Sequence, residues 1–327
     1  MNSLAKSTDT NDTYRFYAEV PKRAVSYNFI ICFFLYAIIL ICQIVFISTS
    51  KSLKTLVPKP KLKRYVNIMI PFIIGCFLES IGFIGRLLSA DNMTSMGLYI
   101  LQACAILIAP TLFAATAYMY FGELIKTLKI HKLSIIDPKY LTKIFVGGDI
   151  VSFLLQGNGA GLFVSSNKTL VLVGRIMVIA GLVVNILFFG LFCVTQVIVY
   201  YRIYRSTNKV CMTGSQFPSR ITNWKTCGGI LSFVSIMIMV RSVYRVVEYV
   251  QGNNGSITRN QELLYLLDST MMSCAGSAFS LFNVPYFFMV FENRFGEVTD
   301  DLDEIVQLSD SKDQAANIPL VDQEIGA

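Results

Sequence analysis

The chain has 327 residues, 54% of them hydrophobic and 15% charged, with a formal net charge of +7. That balance excludes a pair of ordinary soluble domains. The segments between its apolar runs are too short for a separate catalytic domain or a basic nucleic-acid-binding domain, so any site lies in a membrane bundle or its loops.

In chain order, residues 1–23 are polar and lack the apolar core of a signal peptide, which predicts an extracellular segment followed by an uncleaved insertion signal. Seven apolar stretches follow, at about 24–47, 65–88, 97–121, 141–164, 170–201, 227–250 and 263–291. Each is long enough to cross a bilayer, which takes about 20 apolar residues. The expected fold is all-α integral membrane, a seven-helix transmembrane bundle over 24–291. Residues 292–327 carry ten acids and read as a disordered cytosolic tail.

Orientation follows from the short loops. The first holds Lys51, Lys54, Lys59, Lys61, Lys63 and Arg64, the third Lys126, Lys129, Lys132 and Lys139, and the fifth Arg202, Arg205, Lys209, Arg220 and Lys225. The alternate loops hold Lys168 and Arg259. Basic residues favour the cytosolic side, which places the N-terminus outside and the C-terminus inside. The glycosylation acceptors Asn11, Asn92, Asn167 and Asn254 all fall on the outer side in that arrangement. Asn11 is the favoured one, because Asn92 and Asn254 lie close to the membrane.

Eight acids and arginines lie well inside the apolar stretches: Glu79, Arg86, Asp149, Arg175, Arg241, Arg245, Glu248 and Asp268. A charge at the centre of a bilayer costs about 3 kcal/mol on insertion scales, so these groups should face the bundle interior or a wet cavity. Four are positive and four negative, which predicts mutual pairing. Glu79 and Arg86 lie two turns apart on one helical face, with Gly82 and Gly85 between them leaving space for a neighbouring helix or a ligand. Asp149 and Gln156 repeat that spacing. Arg245 and Glu248 can pair within their helix, whereas Arg241 needs a counter-charge from elsewhere. Gln102 and Pro110 share the third span, where the proline frees a carbonyl and favours a kink. Five of the charges belong to the outer half, with Glu79, Asp149 and Arg241 deeper, and together they predict a polar cavity towards the outer leaflet. The alternative is that ion pairs fix helix register.

Missing residues narrow the chemistry further. His131 is the single histidine, so neither a histidine-ligated zinc hydrolase nor a Ser-His-Asp site can be assembled; no metal site, catalytic residue or cofactor is expected. The last span has no lysine for a retinal Schiff base. None of the eight cysteines falls in an outer loop, and they read as small buried hydrophobes. The run Gly157-Asn158-Gly159-Ala160-Gly161 lies inside a span and follows no strand, so it reads as a site of close helix packing or a helix break, not a phosphate loop.

The segments Glu79-Ser-Ile-Gly-Phe-Ile-Gly-Arg86, Ile108-Ala-Pro-Thr-Leu-Phe-Ala-Ala-Thr-Ala-Tyr118, Gly148-Asp149-Ile-Val-Ser-Phe-Leu-Leu-Gln156, Arg241-Ser-Val-Tyr-Arg-Val-Val-Glu248 and Glu262-Leu-Leu-Tyr-Leu-Leu-Asp268 occur in that order. In them the chain resembles the fungal lipid-translocating exporter family over about residues 14–291. Two positions depart from the family pattern: Asn185 stands where a glutamine is expected, and the last span ends Asn283-Val-Pro-Tyr in place of His-Pro-Gly.

The resemblance implies a plasma-membrane or endomembrane protein that moves, or confers tolerance to, amphipathic lipid-like molecules, most of all sphingoid long-chain bases. Its partners would be membrane lipids and that small-molecule substrate. The substrate-binding set is Glu79, Arg86, Gln102, Asp149, Gln156, Arg241, Arg245, Glu248 and Asp268. Within it Glu79, Asp149, Glu248 and Asp268 receive the amine, while the arginines hold those acids in the empty state. Two alternatives stand beside this reading. One is a seven-helix sensor of lipid stress without flux, whose activity would depend on the loops or on the tail after Phe291. The other is uptake of a carboxylated amphiphile such as a porphyrin, bound by Arg86, Arg175, Arg241 and Arg245.

Overall fold

The computed structural model describes residues 23–50, 59–89, 96–127, 138–162, 167–210, 224–251 and 265–288. Six long helices form in chain order: α1 (Arg23–Thr49), α2 (Lys59–Ser89), α3 (Met96–Thr127), α4 (Pro138–Leu162), α5 (Lys168–Val210) and α6 (Trp224–Gln251). A π-helical turn, Tyr265–Thr270, then leads into α7 (Met271–Leu281). Among the described residues the secondary structure is entirely helical.

Each helix packs on its chain neighbours, and α7 returns to α1, which closes a ring. Across that ring α3 also touches α5 and α6, making it the central helix. This arrangement follows from one-sided apolar packing. On α1 the buried residues Phe29, Phe33, Ala37, Leu40 and Ile47 recur at helical spacing on one face, while Ile31, Phe34, Val45 and Phe46 point outwards. Large apolar side chains also cover the outside of α2, α4, α5 and α6. Such a surface suits lipid and not water.

Among the described residues five helices are long and apolar enough to cross a membrane: Arg23–Thr49, Leu62–Ser89, Ile100–Thr127, Thr169–Arg202 and Thr226–Gln251. The sequence-based expectation was seven. α4 falls short because Gly147, Gly148, Asp149, Gln156 and Asn158 dilute its apolar content. The last segment falls short because it is broken. Its α-helix is 11 residues long and stops at Phe282, after which Asn283 caps a final turn at 284–288 by accepting the Tyr286 N–H at 3.1 Å. The departure Asn283-Val-Pro-Tyr is therefore a helix restart: the asparagine supplies the cap, and Pro285 occupies an early position that has no N–H to satisfy.

The glycine run in α4 remains helical, and Asn158 donates back to the Leu154 carbonyl at 2.7 Å. Its use is packing. A Cβ on Gly159 would sit 2.6 Å from the Gly174 carbonyl oxygen of α5, and one on Gly181 would sit 2.8 Å from the Ser152 carbonyl oxygen of α4. The two backbones approach so closely that side chains are excluded from the crossing. Gly82 likewise admits a neighbour, because Ile106 of α3 fills the space beside it.

Buried aromatic side chains fill much of the bundle interior. Phe72 stacks on Phe113 with centroids 4.2 Å apart, and Tyr118, Phe145, Phe189 and Phe192 form a second buried cluster. Towards the end where α2 and α6 begin, Tyr65, Tyr120 and Phe288 pack together, and the Tyr120 hydroxyl bonds to Cys227. Of the described cysteines Cys76 and Cys227 are buried, whereas Cys42 and Cys104 face outwards, so the expectation of uniformly buried thiols is corrected. Both exposed thiols sit on lipid-suited surface, where a small hydrophobe is equally at home.

Candidate functional site

The charges collect at the other end, where α2, α4 and α6 finish and α3, α5 and the π turn begin. Arg245 of α6 forms the hub. Its Nε donates to Asp268 Oδ1 at 3.0 Å, its Nη2 to Asp268 Oδ2 at 2.5 Å and its Nη1 to Glu248 Oε2 at 3.1 Å. A guanidinium fork matches a carboxylate in this bidentate geometry, which fixes direction as well as charge. One turn earlier, Arg241 Nε lies 2.8 Å from Asp268 Oδ1 as an ion pair, although its N–H is not aimed at that oxygen. Asp268 therefore neutralises two arginines.

Arg241 has a second anchor. Its Nη2 donates to the Ile106 carbonyl of α3 at 3.1 Å. In a regular helix that carbonyl would accept from the N–H of residue 110, which is Pro110 and has none. The proline thus presents a main-chain acceptor to a buried arginine. Sequence reasoning identified the freed carbonyl but not its partner.

Asp268 owes its position to the π turn. Thr270 Oγ1 donates to the Tyr265 carbonyl five residues back at 3.0 Å, stabilising the wide turn that brings both Asp268 and Tyr265 inwards. Such turns recur at functional positions. Arg86 stacks over the Tyr265 ring, 4.6 Å from its centroid, with its Nε lacking a hydrogen-bond partner. Glu79 lies in the field of Arg241, Arg245 and Asp268, and its Oε1 is also without a hydrogen bond. Glu79, Arg86, Arg241 and Asp268 are all buried, and Arg245 and Glu248 nearly so.

The structure therefore brings together six of the eight charges: Glu79, Arg86, Arg241, Arg245, Glu248 and Asp268. Expected pairing holds for Arg245 with Glu248, and Arg241 finds its counter-charge on the seventh helical segment. Arg175 and Asp149 are not in the cluster. Arg175 donates from Nε and Nη2 to the Tyr249 carbonyl at 3.3 and 3.2 Å, so its partner is main chain at the end of α6. Asp149 accepts from Asn185 Nδ2 at 3.4 Å, and Asn185 Oδ1 in turn accepts from Ser242 Oγ at 3.4 Å. The departure at position 185 thus links α4 to α6. Gln156 donates to Ser152 Oγ at 2.7 Å, whose hydroxyl donates to the Gly181 carbonyl at 2.7 Å, an arrangement that serves the α4–α5 crossing. Gln102 lies beside Gly85, its Cβ 3.5 Å from where a glycine Cβ would be.

Ion pairs tie Arg241, Arg245, Glu248 and Asp268 of the six-charge cluster together. An open cleft among the described residues lies at the opposite end, lined by Arg64, Asn67, Glu123 and Thr142. The described residues contain no group of metal-ligating side chains. Asn167 is exposed and caps α5 by accepting the Thr169 N–H at 3.0 Å; Asn11, Asn92, Asn254, the segment 1–22 and the tail 292–327 lie outside the described residues.

Comparison with known proteins finds relatives of the chain as a whole. The family described as RTA1 like protein matches residues 72–291. Protoporphyrin uptake protein 1 of Saccharomyces cerevisiae is 30% identical, over 92% of this chain and 99% of that protein. Protein RTM1 of Saccharomyces cerevisiae is 35% identical over 71% of this chain and 72% of its own length. Sphingoid long-chain base transporter RSB1 of the same species is 26% identical over 77% of this chain and 76% of its own length. No solved structure matches. With its apolar helices, this similarity makes the chain an integral, multi-pass membrane protein.

Proposed function

The chain belongs to the RTA1-like protein family, and from that premise we propose that it translocates amphipathic lipid-like molecules across a membrane, with a sphingoid long-chain base as substrate. One observation carries this reading: a buried, charge-balanced cluster of three arginines and three acids inside an apolar bundle. A cationic amine on a hydrocarbon chain needs a carboxylate inside and apolar surface along its length. Asp268, Glu248 and Glu79 supply the first. When the amine arrives, it competes with an arginine at Asp268, and the displaced guanidinium turns to Glu248 or Glu79, which lie within the same cluster. In the empty protein the arginines hold the acids.

The bundle spans the membrane seven times, with its N-terminus outside and the charged end towards the outer leaflet. α4 and the broken last segment span by packing in the ring, where Asp149, Gln156 and Asp268 are buried against other helices. The plasma membrane is the proposed site of action, with Asn167 at the outer surface. The chain contains no nucleotide-binding motif, so translocation follows a gradient or couples to an ion.

A second reading, uptake of a carboxylated amphiphile, draws on Arg86 and Arg175. Neither is ion-paired to an acid among the described residues, and a relative named for protoporphyrin uptake aligns over nearly its full length. Reversing the pair as Arg245→Glu/Glu248→Arg separates the two. The amine reading predicts reduced transport of a sphingoid base, about tenfold for each 1.4 kcal/mol of lost binding, with porphyrin transport less affected. The opposite ranking, in cells or in liposomes, would favour the carboxylate reading.

A further inference from the structure

Asp149 stands apart from the ion-paired cluster, and its surroundings ask for a different occupant. It is 3% exposed, Asn185 donates to its Oδ1, and its Oδ2 has no hydrogen-bond partner. From α3 the Tyr118 hydroxyl, also buried, faces the carboxyl. From α5 come Asn185 and, beside Tyr118, the Cys193 thiol. α6 contributes Ser242 through Asn185, while the adjacent Arg241 is committed to Asp268 and Ile106. No arginine or lysine pairs with Asp149 among the described residues.

A buried carboxylate in such surroundings is costly, because no counter-charge among the described residues offsets its desolvation. A proton neutralises the carboxyl, and its O–H on Oδ2 can donate to the Tyr118 oxygen; the ionised form can accept from the Tyr118 hydroxyl but keeps its charge in low dielectric. A metal cation of the magnesium or calcium type would need about six oxygen ligands, and the side chains of Asp149, Tyr118, Asn185 and Ser242 do not provide them. An amine with a hydrocarbon chain would need space, yet the Phe188 ring fills the face beside Gly148.

We infer that Asp149 is a proton-binding site, separate from the substrate cluster, whose carboxyl takes up and releases one proton in each transport cycle. This rests on the transport reading. The Asn185–Ser242 link connects the protonation state of Asp149 on α4 to α6, the helix that carries Arg241 and Arg245. Loss of the proton leaves a charge that must find a donor or water, which favours a rearrangement of α4 against α3 and α5.

The test uses full-length protein in liposomes, with two readouts. The first is the infrared carbonyl stretch of a protonated carboxyl, which does not require transport. Wild type should show a component at neutral pH that is missing in Asp149→Asn. Tyr118→Phe keeps the carboxyl and should shift the pH midpoint of that component; an unchanged midpoint, or identical wild-type and Asp149→Asn spectra, overturns the assignment. The second is flux of a labelled sphingoid base under a pH gradient. A difference of about 2 pH units supports up to about a hundredfold accumulation for one proton per substrate, and Asp149→Asn should lose that dependence. Wild-type flux that ignores the gradient overturns the inference and leaves the transport reading intact. Absence of any wild-type flux overturns the transport reading and the coupling together, and persistence of the infrared component identifies that case.

Discussion

Asp268→Asn is expected to cause the largest loss of stability of any single change in the bundle. Asp268 faces both Arg241 and Arg245, at 2.8 Å and 2.5 Å, and is itself buried. The amide preserves shape and one acceptor but removes the charge. Two guanidiniums would then share Glu248 and the more distant Glu79. Breaking a buried pair by removing one partner typically costs about 3–5 kcal/mol, because the remaining charge is left uncompensated. Thermal unfolding of the detergent-solubilised protein, followed by size-exclusion chromatography, should show a lower midpoint and reduced folded yield. Arg241→Gln/Asp268→Asn should recover much of that stability, because replacing both members of a buried pair is often neutral. Flux should not recover, since the amine's carboxylate is gone. An Asp268→Asn protein with wild-type stability and wild-type flux would mean that the Asp268 network carries neither role.

Pro110→Ala is expected to separate stability from transport. Alanine restores an N–H at position 110 and lets the Ile106 carbonyl rejoin its own helix, at a site where proline costs an isolated helix about 3 kcal/mol. α3 should become straighter and the unfolding midpoint should be equal to or above wild type. Arg241 then loses its 3.1 Å anchor on α3. Hydrogen bonds to a charged group contribute about 1.5–3 kcal/mol, so flux should fall roughly tenfold to a hundredfold if that anchor positions Arg241 for exchange with the amine. A variant that loses stability and flux in parallel would place the proline in simple packing. Unchanged flux would mark the Arg241–Ile106 contact as incidental.

Much of the fold can be read from the sequence because membrane helices are announced by runs of local composition. The helix positions, the interior placement of the charges and the Arg245–Glu248 pair all depend on residues close together in the chain. The partners of Arg241 do not. Its contacts with Ile106 and Asp268 are fixed by how α3, α6 and the last segment meet, and helical periodicity gives a direction without identifying the neighbour. The π turn at Tyr265–Thr270 has no compositional mark, so the stacking of Arg86 on Tyr265 was not foreseeable from spacing. Grouping Asp149 with the substrate acids followed from counting charges, whereas its polar neighbours, Tyr118 and Asn185, come from two other helices. Gly82 and Gly159 were legible as small-residue positions, but only the packed bundle distinguishes a helix neighbour from a ligand space.

The most direct measurement is transbilayer flux of a labelled sphingoid base in liposomes containing the purified protein, compared with protein-free liposomes and with Asp268→Asn protein selected for its folded fraction. The account predicts acceleration by the wild-type protein, competition by other long-chain amines and loss of that acceleration when Asp268 is neutralised. Equal rates with and without the wild-type protein, in both directions across the bilayer, would contradict it.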